Sequence, residues 1–160
     1  MKKNFSLNKG MALVEIVIGS AIISVAILAA SSAYNTYVNY AFANQRNVQA
    51  GYILEEGLEA VTFFRDTSWS GNIAKLSTTT TYYLTFSSTW ATTTTAQYVD
   101  GVFLRTMTIS DVKRDGSDKI AVSGTYDPNT KLITATVAYP QGHATTTKSI
   151  STYITNIYNN

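Results

Sequence analysis

The sequence predicts an α+β fold in which a long N-terminal helix packs its second half across an antiparallel sheet of four or five strands. Two observations carry this prediction. Residues 11–66 contain no proline, and apolar or small side chains recur at helical spacing in their second half, which indicates one long helix. Residues 67–160 are rich in threonine and tyrosine and contain short runs of alternating apolar and polar side chains, which are typical of strands. We expect the apolar first half of the helix to protrude.

The N-terminal residues combine a basic leader with an apolar segment. Lys2, Lys3 and Lys9 precede residues 11–30, in which Glu15 is the only charged residue. A helix over these residues is about 30 Å long, which is enough to cross the hydrocarbon core of a bilayer. Because basic flanks stay on the cytoplasmic side of such a segment, the C-terminal domain would lie outside.

Glu15 is unusual in this setting. A charge inside a bilayer is costly and is seldom left without a partner, so Glu15 either pairs with a cation or lies near the lipid headgroups. A secretory signal is an alternative for the whole segment, because Ala29 and Ala30 offer a small-residue cleavage site. The helical pattern that continues past these alanines argues against cleavage there.

The second half of the predicted helix is amphipathic. Its apolar stripe consists of Ala50, Ile53, Leu54, Gly57, Leu58, Val61 and Phe64. Glu55, Glu56 and Glu59 lie mostly off the stripe and are interpreted as a solvated face. The chain then divides into a basic leader at residues 1–10, an apolar half-helix at 11–33, an amphipathic half-helix at 34–66 and a β-rich head domain at 67–160.

The head domain contains four clear candidate strands and one weaker one. The weaker strand covers residues 81–86, between threonine-rich segments that are predicted as loops or edge strands. The clear strands cover residues 101–109, 119–126, 132–139 and 148–158. Residues 127–129 have the chemistry of a tight turn, which predicts a hairpin between Tyr126 and Leu132.

The stretch "KGMALVEIVIGSAII" resembles the class III signal of type IV pilins and pseudopilins. That signal is a short basic leader that ends in glycine, followed by an apolar run whose fifth residue is glutamate. The matching residues are Gly10, Met11 and Glu15. Met11 and Ala12 stand where phenylalanine and threonine are usual, and the proline that often kinks the pilin helix is absent near Ser31.

The resemblance implies roles for these residues. A prepilin peptidase would cleave between Gly10 and Met11 on the cytoplasmic face and methylate the new amine of Met11. In a filament, the Glu15 carboxylate would pair with the Met11 amine of a neighbouring subunit or of its own chain, which would give each charge a partner. The apolar helix would first anchor the subunit in the membrane and then pack in the filament core.

The resemblance also implies a class of function. "LEEGLEAVTFFRDTSW", followed later by "YDPNTKLITATVAY" and "KSISTYITN", is similar to PilV-like minor pilins. We therefore expect a structural, minor subunit of a type IV pilus or related filament, single-pass in the membrane before assembly and on the cell surface after it. Its partners would be the prepilin peptidase, other pilin subunits and the inner-membrane assembly machinery. The alternatives are a pseudopilin of a type II-like secretion system and a membrane-anchored extracellular binding domain that does not polymerise.

The composition limits other functions. The net charge of +2 and the charged fraction of 14% give no indication of a specific nucleic-acid partner. The chain has no cysteine and a single histidine, His143, which excludes thiolate chemistry and any site that needs two histidines. "DVKRDGSD" gathers three acids around Gly116, but without EF-hand spacing it is interpreted as a solvated connection. Aromatic residues such as Trp90 either stack on sugars or single-stranded DNA, or fill the core or lie singly on the surface. We predict no catalytic site, no metal and no cofactor.

Overall fold

The computed structural model describes residues 9–142 and 144–159. Residues 1–8, which form most of the predicted leader, and His143 lie outside the described residues. The described chain falls into two units that divide between Asn44 and Gln45, here called the N-terminal unit and the head unit. The elements are α1 (Lys9–Thr67), a π-helical turn (Trp69–Ile73), β1 (Tyr82–Ser87), β2 (Thr89–Thr93), β3 (Tyr98–Val99), β4 (Phe103–Arg114), β5 (Ile120–Ala121), β6 (Thr125–Gln141) and β7 (Ala144–Thr155).

The strands of the head unit form one antiparallel sheet in the order β2-β1-β4-β6-β7. β3 and β5 have two residues each and pair with β4 outside this path. Residues 50–64 of α1 pack on one face of the sheet, so the predicted α+β class is confirmed. The five-strand path agrees with the predicted four or five strands, and the two short strands bring the sheet to seven among the described residues.

The face of α1 that contacts the sheet is the one that the apolar stripe predicts. One buried cluster joins Ala50, Ile53, Leu54, Phe103, Ala135, Val137 and Tyr139. A second joins Ala60, Val61, Phe64, Trp69, Ile73, Leu84, Met107, Ile109, Ile133 and Ile154. Gly57 is buried between them, and a Cβ at this position would lie only 3.2 Å from Cδ of Arg105. Glycine therefore lets the helix approach the sheet where the Arg105 side chain lies.

The central strands alternate as the sequence predicts. On β6, Ile133, Ala135, Val137 and Tyr139 are buried, and the residues between them are only partly buried. Burial on β4 alternates in the same way from Phe103. This regular alternation identifies the face of each strand that packs under α1.

The predicted hairpin between Tyr126 and Leu132 is wrong. Residues 125–141 form one strand, β6, and its pairing with β4 passes from Lys131 to Asp127 with a register shift between Asp111 and Val112. Residues 127–129 still form the local hydrogen bond that is typical of a turn: the backbone N–H of Asn129 donates to Oδ1 of Asp127 at 2.9 Å. These residues form a local irregularity within a continuing strand, because residues 125–127 still pair with the end of β4.

The predicted strand over residues 119–126 is divided in two. β5 pairs with Lys113 and Arg114 along one edge of β4, whereas residues 125–127 pair along the other edge. The chain therefore crosses the end of β4 at residues 122–124. Gly124 has a φ of +149°, and a Cβ there would lie 2.1 Å from the carbonyl oxygen of Arg114. Only glycine fits this crossing without a shift of the backbone.

Candidate functional site

The N-terminal unit exposes a broad apolar surface. Its large apolar side chains from Met11 to Leu28 are 54–71% exposed. None of the most apolar stretch of α1 is buried, and the helix is long and apolar enough to cross a membrane. A signal sequence meets the same criterion of length and composition. Burial of each such side chain is favourable by about 1.5–3 kcal/mol, so this surface has a strong tendency to enter lipid or to pack on a partner.

Three hydroxyl groups of the N-terminal unit donate hydrogen bonds to carbonyl groups of their own helix. The Ser20 hydroxyl donates to the carbonyl of Val17 at 2.9 Å, and the Ser24 hydroxyl donates to the carbonyl of Ser20 at 2.8 Å. The Thr36 hydroxyl donates to the carbonyl of Ser32 at 3.0 Å, and α1 is continuous through this region. These hydroxyls need no water, which suits an apolar environment.

Three tyrosines follow the apolar segment at intervals of three residues. Tyr34, Tyr37 and Tyr40 are 68%, 73% and 70% exposed. Tyrosine rings are enriched where a membrane meets water, because one end is apolar and the other is polar. If residues 11–30 span a bilayer, these rings follow the end of the span, where the membrane meets water. These tyrosines are not among the residues singled out from the sequence, although their regular spacing directly after the apolar segment indicates such a belt.

The residues that the pilin resemblance singles out lie together at the start of α1. Gly10, Met11 and Glu15 are all helical, and the Met11 and Glu15 side chains are both exposed. Residues four apart share a helix face, so Met11 and Glu15 lie on the same side. Among the described side chains, none forms an ion pair with Glu15. Cleavage after Gly10 and methylation of Met11 stay predictions.

The head unit buries one arginine under α1. Arg105 is 4% exposed, and its Nη1 donates to Oε2 of Glu56 at 2.6 Å and to the carbonyl of Ile53 at 3.3 Å. The guanidinium also lies 5.2 Å from the centre of the Trp90 ring. Nε of Arg105 has no hydrogen-bond partner among the described residues. Glu55 and Glu59 are exposed as predicted, whereas Glu56 serves as the counter-ion of a buried charge.

A second group of polar contacts joins residues 46–47 of α1 to the end of β6 and to β7. Arg46 Nη1 donates to the carbonyl of Pro140 at 2.6 Å, and the Tyr139 hydroxyl donates to Oδ1 of Asn47. Lys148 Nζ donates to the carbonyl of Asn47 at 3.2 Å. Burial raises the pKa of Tyr139. These contacts fix residues 46–47 on the sheet.

Ion pairs stabilise the irregular part of β4 and β6. Nε of Arg114 lies 2.6 Å from Oδ2 of Asp127. The hydrogen bond from Arg114 holds the pKa of Asp127 below its ordinary value, and the same bond raises the pKa of Arg114. Lys131 Nζ lies 2.6 Å from Oδ1 of Asp111. Burial alone would lower the pKa of Lys131, but hydrogen bonds to Asp111 and Tyr126 outweigh it, and the pKa is raised.

The Arg114–Asp127 pair predicts how stability responds to acid. Because the pKa of Asp127 is lower in the folded state, the pair stabilises the head unit above about pH 4 and loses this effect as the pH falls through the lowered pKa. We expect Asp127→Asn to destabilise the protein at pH 7 and to have a smaller effect at pH 2. Urea unfolding of the full chain at both pH values measures this. Asp100→Asn, at an exposed position, is the control, and an equal loss at both pH values for Asp127→Asn would contradict the prediction.

The acidic connection after β4 is organised by its own backbone. Oδ1 of Asp115 accepts hydrogen bonds from the backbone N–H groups of Ser117 at 2.8 Å and Lys119 at 3.0 Å. Within the described part of the chain, no group of three histidine, aspartate or glutamate side chains is placed to hold a metal ion. His143, the single histidine of the sequence, lies outside the described residues.

Searches against protein-family models, curated proteins and solved structures found no match to this chain. The described architecture is a long, apolar N-terminal helix and an antiparallel sheet on which its later residues pack. This architecture is compatible with a pilin-like fold.

Proposed function

We propose that the chain is a structural, minor subunit of a type IV pilus or a related filament. It is inserted as a prepilin, cleaved after Gly10 and assembled through its apolar N-terminal helix. The observation that carries the proposal is Glu15, the one carboxylate in an exposed apolar helix, at the fifth position after a glycine that ends a basic leader.

Two further features support the proposal. The apolar side chains around Glu15 have no cover among the described residues, so they need either lipid or other helices. In lipid they anchor the subunit, and in a filament the same surface packs against the helices of neighbouring subunits. The head unit, in contrast, has its own buried clusters.

The proposal assigns partners at each stage. A prepilin peptidase removes the leader on the cytoplasmic face and methylates Met11, and the inner-membrane assembly machinery then brings the subunit to other pilin subunits. The new amine of Met11 is a cation without a partner in an apolar environment, and Glu15 is the matching anion. Pairing of the two between subunits removes the cost of burying either alone.

The test is the N-terminus of the protein recovered from membranes. The full chain is produced in cells with and without an active prepilin peptidase, and its intact mass and N-terminal sequence are determined. We expect a chain that starts at N-methyl-Met11 only when the peptidase is active. Gly10→Val should block this cleavage, whereas Gly19→Ala, in open space on the same helix, should not.

Two outcomes would contradict the proposal. A chain that starts at Met1 in the presence of the peptidase indicates an uncleaved anchor. A chain that starts after Ala29 or Ala30 indicates a secreted domain.

A further inference from the structure

A groove of about 450 Å³ lies in the head unit between the end of α1, the π-helical turn and β2. Its volume falls in the range of about 300–1,000 Å³ that is typical of small-molecule sites. The lining residues that matter here are Phe63, Thr67, Asn72, Lys75 and Trp90.

Two aromatic side chains give the groove apolar surfaces. Phe63 is 44% exposed, so part of its ring is accessible to a ligand in the groove. The Trp90 ring is held by Phe86, whose ring centre lies 5.3 Å away in an edge-on arrangement, and by Arg105 at 5.2 Å. Because these contacts fix the orientation of Trp90, a ligand would not have to order the ring when it binds.

The polar groups of the groove can still form hydrogen bonds. Nδ2 of Asn72 donates to the carbonyl of Phe64 at 3.0 Å, which leaves its amide oxygen as an acceptor. The hydroxyl of Thr67 donates to the carbonyl of Phe63 at 2.8 Å, which leaves its oxygen as an acceptor. These acceptors suit the hydroxyl groups of a ligand.

The charge of the groove is positive. Lys75 is exposed, and no described carboxylate pairs with it. Among the described residues, no aspartate or glutamate lines the groove, so a cationic ligand would find no counter-ion there. An anionic ligand would gain a charge-assisted hydrogen bond from the Lys75 amine.

We infer that this groove binds a carboxylated sugar unit of an acidic polysaccharide. The apolar C–H face of the sugar ring lies on Phe63 and Trp90, its carboxylate pairs with Lys75, and its hydroxyl groups bond with Thr67 and Asn72. An acidic peptide offers the carboxylate but no saturated ring with several hydroxyl groups, so it matches only part of the lining. The inference is independent of the filament proposal, since each of these residues belongs to the head unit.

The test is isothermal titration calorimetry on the full chain in an amine-oxide detergent, which contains no sugar, with a chelator present. The ligands are tetragalacturonate, the neutral maltotetraose and a tetraglutamate peptide. We expect tetragalacturonate to bind, maltotetraose to bind about fivefold more weakly because it lacks the charge, and the peptide to show no binding.

Variants assign the site. Lys75→Gln should remove the preference for the acidic sugar, and Phe63→Ala should weaken both sugars about tenfold. Lys119→Gln and Tyr98→Ala change an exposed amine and an exposed ring outside the groove and should have no effect. Urea unfolding curves identify any variant that is not folded.

Three results would overturn the inference. One is a lack of binding by all three ligands. Another is equal or tighter binding of the glutamate peptide, which would make the groove a site for acidic peptides. The last is equal weakening of tetragalacturonate by Lys119→Gln and Lys75→Gln, which would reduce the binding to a general charge effect.

Discussion

Glu56→Ala is expected to destabilise the head unit by about 2 kcal/mol, less than the loss of a fully buried ion pair costs, because Glu56 faces water. The Glu56 side chain is 47% exposed, but its partner Arg105 is 4% exposed. Without the carboxylate, the buried guanidinium keeps the Ile53 carbonyl and the Trp90 ring as its remaining contacts. The cost therefore comes from the charge that is left behind.

We expect a different result when the arginine is replaced. Arg105→Met keeps an unbranched chain beside Gly57 and removes both the buried charge and the unpaired Nε. The Glu56 carboxylate that remains can be solvated, so we expect a change within about 1 kcal/mol of zero. In the Arg105→Met background, Glu56→Ala should then have almost no effect.

The measurement is a double-mutant cycle by urea unfolding of the full chain. Trp69 and Trp90 both lie in the head unit, so tryptophan fluorescence follows its unfolding. Glu59→Ala, which removes an exposed carboxylate from the same helix, is the control for a change in helix charge. An equal effect of Glu56→Ala in both backgrounds would show that the ion pair with Arg105 is not the cause.

Glu15→Ala is expected to reduce assembled filaments at least about tenfold, because an apolar interface that loses a charge pair leaves the Met11 amine buried alone. This expectation rests on the proposed function. Cleavage after Gly10 should remain close to normal, since the change lies five residues beyond the cleaved bond. Membrane insertion should not decrease, because removal of a charge favours insertion.

The readouts are sheared surface filaments, probed for this subunit, and membrane fractions from the same cells. Glu15→Gln keeps the size of the side chain and removes its charge, so it should match Glu15→Ala if charge pairing is the cause. Ser20→Ala, on the same helix, is the matched control. Normal incorporation of both Glu15 variants would contradict the pairing.

The sequence predicts those parts of the fold in which buried apolar side chains recur at a regular spacing. The stripe from Ala50 to Phe64 and the alternation around Val137 each mark a buried face, because burial on a regular element repeats with the geometry of that element. The predicted hairpin at residues 127–129 is wrong because turn chemistry reports only local backbone shape. Whether the chain then reverses depends on its pairing with β4, which lies outside that segment.

The candidate sites also differ in how far the sequence predicts them. Gly10, Met11 and Glu15 are close in sequence, so their spacing can be recognised directly from the order of residues. The groove depends on Phe63, Lys75 and Trp90, which come together only when the end of α1, the segment after it and β2 are packed. Arg105 could be recognised in the sequence as an exception on an apolar strand face, but its partner could not.

The connections between α1 and the sheet have a consequence for the timing of synthesis. The hydrogen bonds between residues 46–56 and strands β4, β6 and β7 join positions 49–101 residues apart in the chain. At the usual speed of translation, about 5–20 residues per second, the most distant of these partners emerges from the ribosome roughly 5–20 s after the helix that needs it. The apolar stripe of α1 therefore stays exposed through most of translation. The core of the head unit can form completely only after β7 has been synthesised.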